Sequence, residues 1–399
     1  TYGKLDMTNV TASGNNAYQG GLIYTSNSHT QITITGGSFT GNHATNGGVI
    51  YATSANVTVT GGEFSGNTAK NGSAIYSNSA KITVDGATLK NNSATSYGGA
   101  VYANGGTLTL KGASFTGNTA TNHGGAVYTS EVTATLSDTK FISNTAGVNG
   151  GALDMVGSKV TATGACEFTN NTAGNHGGAI YIPYAEGGDN MDDIPGVLTM
   201  TGGSFSGNVA MGGGAVSIRS ECEASFNGTS FSGNAANGFT NEDDGDGEGG
   251  GAVYVGFGKL FLTDVTMSGN TSSGFGGAVN AYHSEVTVSG GTFSKNAAPT
   301  GGAFYGNHSN ITMSGALLTE NESTYVHGET YDSNRGGGAV AVSGGKLKIM
   351  SMAPELEGIE EVIDCCRELG IAVSMGHTDA TYQEAKSAVD RGASRLTHT

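Results

Sequence analysis

One short pattern recurs along most of this chain: an apolar residue, two variable residues, an Asn, a short turn, and a segment like Gly-Gly-Ala-Val-Tyr. Examples are FTGNHATNGGVIY, which begins at Phe39, and FTGNTATNHGGAVY, which begins at Phe115. The recurring Asn residues are Asn15, Asn42, Asn67, Asn92, Asn118, Asn144, Asn171, Asn208, Asn234, Asn270, Asn296 and Asn321. Such regular repetition indicates a solenoid, in which each unit stacks on its neighbours.

Each repeat contains three short apolar stretches and no helical spacing, which is typical of one coil of a parallel β-helix. Period-two alternation places Val57 and Val59 inward and Thr58 outward. The apolar residue before the tyrosine, such as Ile75, should also face inward. We therefore predict an all-β fold, a right-handed parallel β-helix of about 12 coils over residues 1–347. At the usual strand spacing this rod is about 58 Å long.

The glycines and asparagines have structural roles in this prediction. A coil that turns between sheets needs backbone with φ > 0, which Gly tolerates freely and Asn better than most residues. Stacked Asn side chains can also hydrogen-bond from coil to coil. The Asn column is therefore interpreted as a structural ladder and not as a catalytic feature.

Charge and cysteine content exclude some classes of function and of fold. The formal net charge is -16, which argues against nucleic acid or an anionic membrane as a partner. The cysteines Cys166, Cys222, Cys365 and Cys366 are too irregular for a disulfide framework. No apolar run is long enough to span a bilayer. The chain has no signal segment and no initiator Met, so we expect it to be part of a longer one.

The paired FxxN and GGA[ILV] motifs, as at Phe115, Asn118 and Gly124 to Val127, resemble those of the chlamydial polymorphic outer membrane proteins and related adhesin-like repeats. The resemblance covers roughly residues 1–345. It implies an extracellular or cell-surface stalk that binds a protein or glycan on a host or neighbouring cell.

Tyrosines that share one place in the repeat should form an outward column. They are Tyr24, Tyr51, Tyr76, Tyr102, Tyr128, Tyr181, Tyr254 and Tyr305, and the column is interrupted at Asp154, Ser217 and Asn280. Aromatic rings offer a large contact area at low entropic cost, so Tyr51, Tyr76, Tyr102 and Tyr128 are a candidate binding surface. Ring-on-ring stacking that stiffens the rod is the structural alternative.

Two insertions gather carboxylates. NEDDGDGEGG carries Asp243, Asp244, Asp246 and Glu248, which are candidate calcium ligands. YAEGGDNMDDIPG is a second acidic insertion. Neither matches an EF-hand loop, so a solvated acidic loop is the alternative.

Two other functions known for β-helices agree less well with this sequence than surface binding does. A polysaccharide-active enzyme would need basic residues near its carboxylates, and the rod has few. An ice-binding face would need a regular polar array, which Lys111 and Phe261 interrupt among the outward threonines. Outward β-branched residues are common in any strand.

The composition changes between Gly345 and Ser351. From Ser351 onward there are 4 Gly and 13 charged residues in 49. PELEGIEEVIDCCRELG and ATYQEAKSAVDRG have helical spacing, and IAVSM and SRLTH are strand-like. We predict a separate short α/β segment at residues 348–399, a fragment of a TIM barrel or related sheet.

VSMGHTDATYQEA and GASRLTH resemble N-acetylglucosamine-6-phosphate deacetylase, a cytoplasmic TIM-barrel amidohydrolase. The resemblance implies that His377 and His398 bind zinc or another divalent metal, one βα unit apart. The family's third metal ligand, a Glu, and its catalytic Asp fall outside the matched segment. We therefore expect an inactive fragment. The alternative is a working metal-dependent deacetylase.

Overall fold

The structure is a computed structural model that describes residues 3–186, 193–238, 249–324, 336–343, 346–352, 359–368, 372–376 and 380–397. Within these residues the chain winds through four parallel sheets, and each coil gives one strand to each sheet in turn. Twelve such coils are present, which confirms the predicted parallel β-helix.

Two of the sheets contain the VTVTG-type strands and the FxxN strands. Sheet 1 consists of β1 (Lys4–Thr8), β5 (Gln31–Thr35), β9 (Asn56–Thr60), β13 (Lys81–Asp85), β17 (Thr107–Lys111), β21 (Thr133–Ser137), β25 (Lys159–Thr163), β29 (Val197–Thr201), β33 (Glu223–Asn227), β37 (Lys259–Thr263), β41 (Glu285–Ser289), β45 (Asn310–Ser314), β49 (Lys346–Met352), β50 (Ala372–Gly376) and β51 (Ala393–Thr397). Sheet 2 consists of β2 (Thr11–Ser13), β6 (Ser38–Thr40), β10 (Glu63–Ser65), β14 (Thr88–Lys90), β18 (Ser114–Thr116), β22 (Lys140–Ile142), β26 (Glu167–Thr169), β30 (Ser204–Ser206), β34 (Ser230–Ser232), β38 (Thr266–Ser268), β42 (Thr292–Ser294) and β46 (Leu317–Thr319).

The other two sheets follow the Asn and the GGAVY segment. Sheet 3 consists of β3 (Asn16–Gln19), β7 (His43–Asn46), β11 (Thr68–Asn71), β15 (Ser93–Tyr97), β19 (Thr119–Ala120), β23 (Thr145–Ala146), β27 (Thr172–Ala173), β31 (Val209–Ala210), β35 (Ala235–Ala236), β39 (Thr271–Ser272), β43 (Ala297–Ala298) and β47 (Glu322–Ser323). Sheet 4 consists of β4 (Ile23–Thr25), β8 (Ile50–Thr53), β12 (Ile75–Asn78), β16 (Val101–Asn104), β20 (Val127–Ser130), β24 (Leu153–Val156), β28 (Ile180–Ile182), β32 (Val216–Ile218), β36 (Val253–Gly256), β40 (Val279–Tyr282), β44 (Phe304–Asn307) and β48 (Val340–Ser343).

The core forms as the alternation predicts. Val57, Val59 and Ile75 are buried, whereas Thr58 is exposed. The phenylalanines of the FxxN motif stack along the axis, for example Phe141, whose ring centroid lies 4.8 Å from that of Phe168. Equivalent apolar side chains thus fill one continuous column through the rod.

Sheet 3 was not predicted. The repeat pattern predicts a short turn after the Asn, but this segment pairs in parallel with its neighbours in every coil. Many of its strands have only two residues, such as Thr119–Ala120. A two-residue strand is too short to show a periodic pattern in the sequence, which explains the omission.

The Asn ladder is confirmed. Asn118 donates from Nδ2 to Asn144 Oδ1 (3.0 Å) and to Leu89 O (3.0 Å). Its Oδ1 accepts from both N and Nδ2 of Asn92 (3.0 and 2.9 Å). The ladder runs from Asn15 to Asn321. The positive φ angle, however, belongs to the residue before the Asn, as in Gly117 (φ 64) and Ser143 (φ 54).

The paired glycines before sheet 4 are required by close backbone packing. Gly124 has φ +65, and a Cβ on it would lie 2.3 Å from Val127 O. A Cβ on Gly125 would lie 2.1 Å from Gly151 O in the next coil. Both distances are well below contact, so only glycine fits this turn.

The C-terminal segment has the predicted order of elements. Helix α1 (Ile359–Glu368) and helix α2 (Tyr382–Arg391) alternate with the parallel strands β50 and β51. Thr381 and Glu384 form a capping box at the start of α2, and Gly392 caps its end. Strand β49 pairs with β45 on one side and β50 on the other, so the segment extends sheet 1. The expected boundary at residue 347 falls inside this strand.

Candidate functional site along the tyrosine column

The first part of the predicted tyrosine column forms a continuous stack on the surface of sheet 4. We call Tyr24, Tyr51, Tyr76, Tyr102 and Tyr128 the tyrosine strip. Successive ring centroids are 5.3, 4.9, 4.8 and 5.2 Å apart. The ring faces therefore cover one another, and the strip presents ring edges and hydroxyl groups to solvent.

Burial increases along the strip. Tyr24 is 55% exposed, and the other four rings are partly buried. Burial raises the pKa of Tyr102 to about 12 and raises that of Tyr128 as well. The hydroxyl groups of Tyr102 and Tyr128 are therefore neutral at physiological pH, and they act as hydrogen-bond donors and acceptors without charge.

The prediction of an outward column is wrong for its last members. Tyr254 and Tyr305 are only 4% and 5% exposed. The ring of Tyr305 packs against Phe275 at 4.4 Å, and Arg219 lies over the ring of Tyr254 at 5.0 Å. Neighbouring side chains cover these two tyrosines, whereas the tyrosine strip and Tyr181 stay partly exposed.

A second column runs beside the tyrosines, on the far side of the paired glycines. Isolated parallel bridges join Tyr97, His123, Asn149, His176 and Gly212 from coil to coil. The two columns together bring titratable side chains side by side in the middle coils of the rod.

Asp154 is the most unusual member of this region. It occupies the tyrosine position between Tyr128 and Tyr181 in the register of sheet 4, and it is 1% exposed. His123 donates from Nδ1 to Asp154 Oδ2 (3.1 Å). Oδ1 is buried without a hydrogen-bond partner among the described residues. Burial raises the pKa of Asp154 to about 6, and the hydrogen bond from His123 opposes this increase.

At the next interruption of the column, Ser217, the side chain of Arg219 lies beside the neighbouring column residues. Arg219 follows on the same segment and donates from Nη2 to His176 Nε2 (2.6 Å). Arg219 also hydrogen-bonds the side chain of Tyr181 and lies over the ring of Tyr254. Burial, assisted by the nearby Arg219 charge, lowers the pKa of His176 to about 3, so this imidazole is neutral.

The sequence interpretation did not identify this cluster. In the repeat pattern Asp154 and Ser217 are only interruptions of the tyrosine column, and the pattern gives no role to His123, His176 or Arg219. The signal was the motif NHGGA, which places a histidine five residues before the column position in two coils. Contact between residues in neighbouring coils depends on side-chain reach, which the repeat alone does not specify.

The proposed metal positions are not covered by the structure. His377, His398, Asp243, Asp244, Asp246 and Glu248 all lie outside the described residues. In the described part of the chain, no three His, Cys, Asp or Glu side chains converge as a metal site would require. The zinc and calcium hypotheses stay predictions.

The four cysteines are free thiols. Burial raises the pKa of Cys222 and of Cys366 to about 11, which suppresses thiolate chemistry at these positions. Neither described helix is long and apolar enough to cross a membrane. A cavity of about 220 Å³ lies between α1 and α2, lined partly by Ile363 and Ser387.

Comparison with protein families supports the first resemblance. The Chlamydia polymorphic membrane protein repeat matches the chain at residues 36–53, 86–104, 112–130, 165–183 and 264–282. Each match spans both the FxxN-type and the GGAVY-type segments of one coil. The β-helix therefore contains repeats of this type.

Similarity to curated proteins concerns a short stretch. The chain is 41% identical over 58 residues to N-acetylglucosamine-6-phosphate deacetylase of Lysinibacillus sphaericus, covering 14% of this chain and 15% of the relative. It is 37% identical over 59 residues to N-acetylgalactosamine-6-phosphate deacetylase of Escherichia coli O157:H7, covering 15% and 16%. The bovine N-acetylglucosamine-6-phosphate deacetylase is 36% identical over 75 residues, or 18% of each chain. The chain thus spans less than a fifth of the length of these relatives. No solved structure matches it.

Proposed function

We propose that this chain is an adhesin-like β-helix displayed at a cell surface or secreted, and that the tyrosine strip contacts a protein or glycan on a host or neighbouring cell. The repeats similar to polymorphic membrane proteins support surface display. The observation that carries the proposal is the strip itself: five stacked rings at a spacing of 4.8 to 5.3 Å on the outside of the rod.

The geometry of the strip defines what kind of contact it makes. Because the ring faces are occupied by neighbouring tyrosines, a partner meets a row of hydroxyl groups flanked by apolar ring edges. Tyrosine is favoured at interfaces for this combination of apolar body and polar tip. A partner that extends along several coils would engage several rings at once.

Replacement of Tyr51, Tyr76 and Tyr102 by Ser tests this proposal. We expect binding to a panel of host-cell proteins and glycans to fall at least tenfold, because the row of rings is removed from three successive coils. Ser is compatible with the fold at this position, since Ser217 occupies it naturally. Replacement of Thr33, Thr58 and Thr83 by Ser, in the same three coils on sheet 1, is the matched control and should retain binding.

Two results would contradict the proposal. One is a wild-type chain that binds nothing in the panel, and the other is full binding by the triple tyrosine variant. A variant with Phe at the same three positions separates the roles of hydroxyl and ring. Circular dichroism verifies that each variant keeps its β structure.

We further propose that the C-terminal segment does not turn over N-acetylglucosamine 6-phosphate. This proposal is supported by the length of the similar stretch, because the chain spans only about 15% of the first deacetylase relative. Turnover measured with added zinc should equal that of a His377→Ala variant. Activity that depends on His377 would instead support the deacetylase alternative.

A further inference from the structure

Two of the three interruptions of the tyrosine column, Asp154 and Ser217, differ in what lies beside them. At Ser217 the chain supplies a cation of its own, because Arg219 reaches the side chain of Tyr181 and lies over the ring of Tyr254. A guanidinium group thereby takes the place that a tyrosine ring holds elsewhere in the column. At Asp154 the corresponding residue two places along is Val156, which carries no charge.

We call the space between the rings of Tyr128 and Tyr181, beside Asp154, the Asp154 gap. These rings belong to coils two steps apart, about 9.6 Å at the usual strand spacing. In the first five coils the same position holds a tyrosine ring. The aspartate side chain is shorter than a tyrosine, and neighbouring side chains close over it, since Asp154 is only 1% exposed.

The chemistry of the gap favours a cationic group as its ligand. The Asp154 carboxylate is 1% exposed and has one oxygen without a partner among the described residues. A buried and half-satisfied carboxylate is costly to stability, and a donor from outside would remove that cost. Two tyrosine rings flank it, and aromatic faces attract cations. A planar cation with several N–H donors satisfies both features, as Arg219 does one interruption further along.

We propose that the Asp154 gap binds the guanidinium group of an arginine presented by a partner protein. His123, the side-chain partner of Asp154, is 26% exposed. Rotation of its ring breaks one hydrogen bond and opens the gap. The guanidinium then donates to Asp154 Oδ1 and stacks between Tyr128 and Tyr181. The net charge of -16 favours the approach of a cationic partner.

This site is separate from the contact proposed for the tyrosine strip. The triple variant of Tyr51, Tyr76 and Tyr102 leaves Tyr128, Asp154 and Tyr181 intact. Either proposal can therefore fail without the other.

Titration of the full chain with N-acetyl-arginine amide tests the proposal. Ring-labelled histidine is followed by NMR, and we expect a saturable shift of the His123 resonance while the exposed His29 stays unchanged. The neutral isostere N-acetyl-citrulline amide should give no saturable shift. Asp154→Asn should weaken arginine binding at least tenfold, because the ion pair is lost.

Asp154→Tyr is the second variant, and it restores the residue that the column uses in its earlier coils. We expect it to fold and to abolish binding, because the new ring fills the gap. The proposal is overturned by no saturable shift in the wild-type chain, by equal binding of the citrulline probe, or by undiminished binding in the Asp154→Tyr variant.

Discussion

At the scale of single residues, Asp154 shows how one substitution changes a repeated environment. Its neighbours in the column are tyrosines whose rings stack and exclude water. A carboxylate in the same place keeps its position in the sheet but loses its hydration. His123 compensates in part through one hydrogen bond. The residue is therefore expected to make folding depend on pH.

Comparison of wild type with Asp154→Asn isolates this dependence. The pKa of Asp154 is raised in the folded chain from 3.8 to about 6, so the folded state binds the proton more tightly than the unfolded state. The associated stability is fully present below pH 4 and is lost as the pH rises through 6. A shift of this size corresponds to at most about 3 kcal/mol.

The expected result is that wild type becomes less stable relative to Asp154→Asn as the pH rises from 4 to 7. Urea unfolding at several pH values measures the free energy of unfolding of each variant. The other carboxylates are common to both variants, so their effect cancels in the difference. A difference that stays constant across this range would show that Asp154 is not buried as described.

At the scale of elements, the corner between sheets 2 and 3 depends on the Asn ladder. Each internal ladder Asn is buried and fully hydrogen-bonded, as Asn118 is through four bonds to three residues. The sequence predicted the ladder because the same residue returns in every coil. It did not predict that the preceding residue takes the left-handed conformation, since Gly, Ser and Lys all occur there.

Asn118→Ala should destabilise the rod by about 3 kcal/mol, because it leaves buried donors and acceptors in the adjacent coils without partners. Asn56→Ala, at an exposed position of β9, is the matched control and should change stability by less than about 0.5 kcal/mol. Hydrogen exchange is expected to show the loss of protection in the coils next to Asn118. Equal effects of the two variants would contradict the role assigned to the ladder.

At the scale of the whole molecule, the rod and the C-terminal segment share one apolar core. Buried residues of the last coils, such as Ile311 and Met313, belong to the same contiguous cluster as Ile363 of α1. Solenoids need their exposed ends covered, because an open coil leaves apolar side chains in water. We propose that the deacetylase-like segment serves as this end cap.

Ile363→Ala tests the cap. The side chain is fully buried, and truncation of such residues costs about 2 to 5 kcal/mol. Because each coil contacts only its neighbours, hydrogen exchange should accelerate in β44, β45 and β48 and stay unchanged in β5 and β9. Val362→Ala alters the adjacent residue, which is 38% exposed, and should have little effect. Exchange that is unaffected in the last coils would rule out the capping role.

The sequence by itself determined the coil, the inward positions and the Asn ladder. These features repeat in every unit, so a short pattern in the sequence corresponds to one local environment copied along the axis. The change of composition after Gly345 likewise marked the α/β segment and the order of its elements.

Only the tertiary structure decided which column members stay at the surface, how Asp154 meets His123, and how Arg219 replaces a ring beside Ser217. It also showed that the C-terminal strands continue sheet 1. These features arise between residues of different coils and columns, where side-chain length and local gaps decide the contact. A periodic pattern fixes the position of each backbone segment, but it carries no information on how far a particular side chain reaches across it.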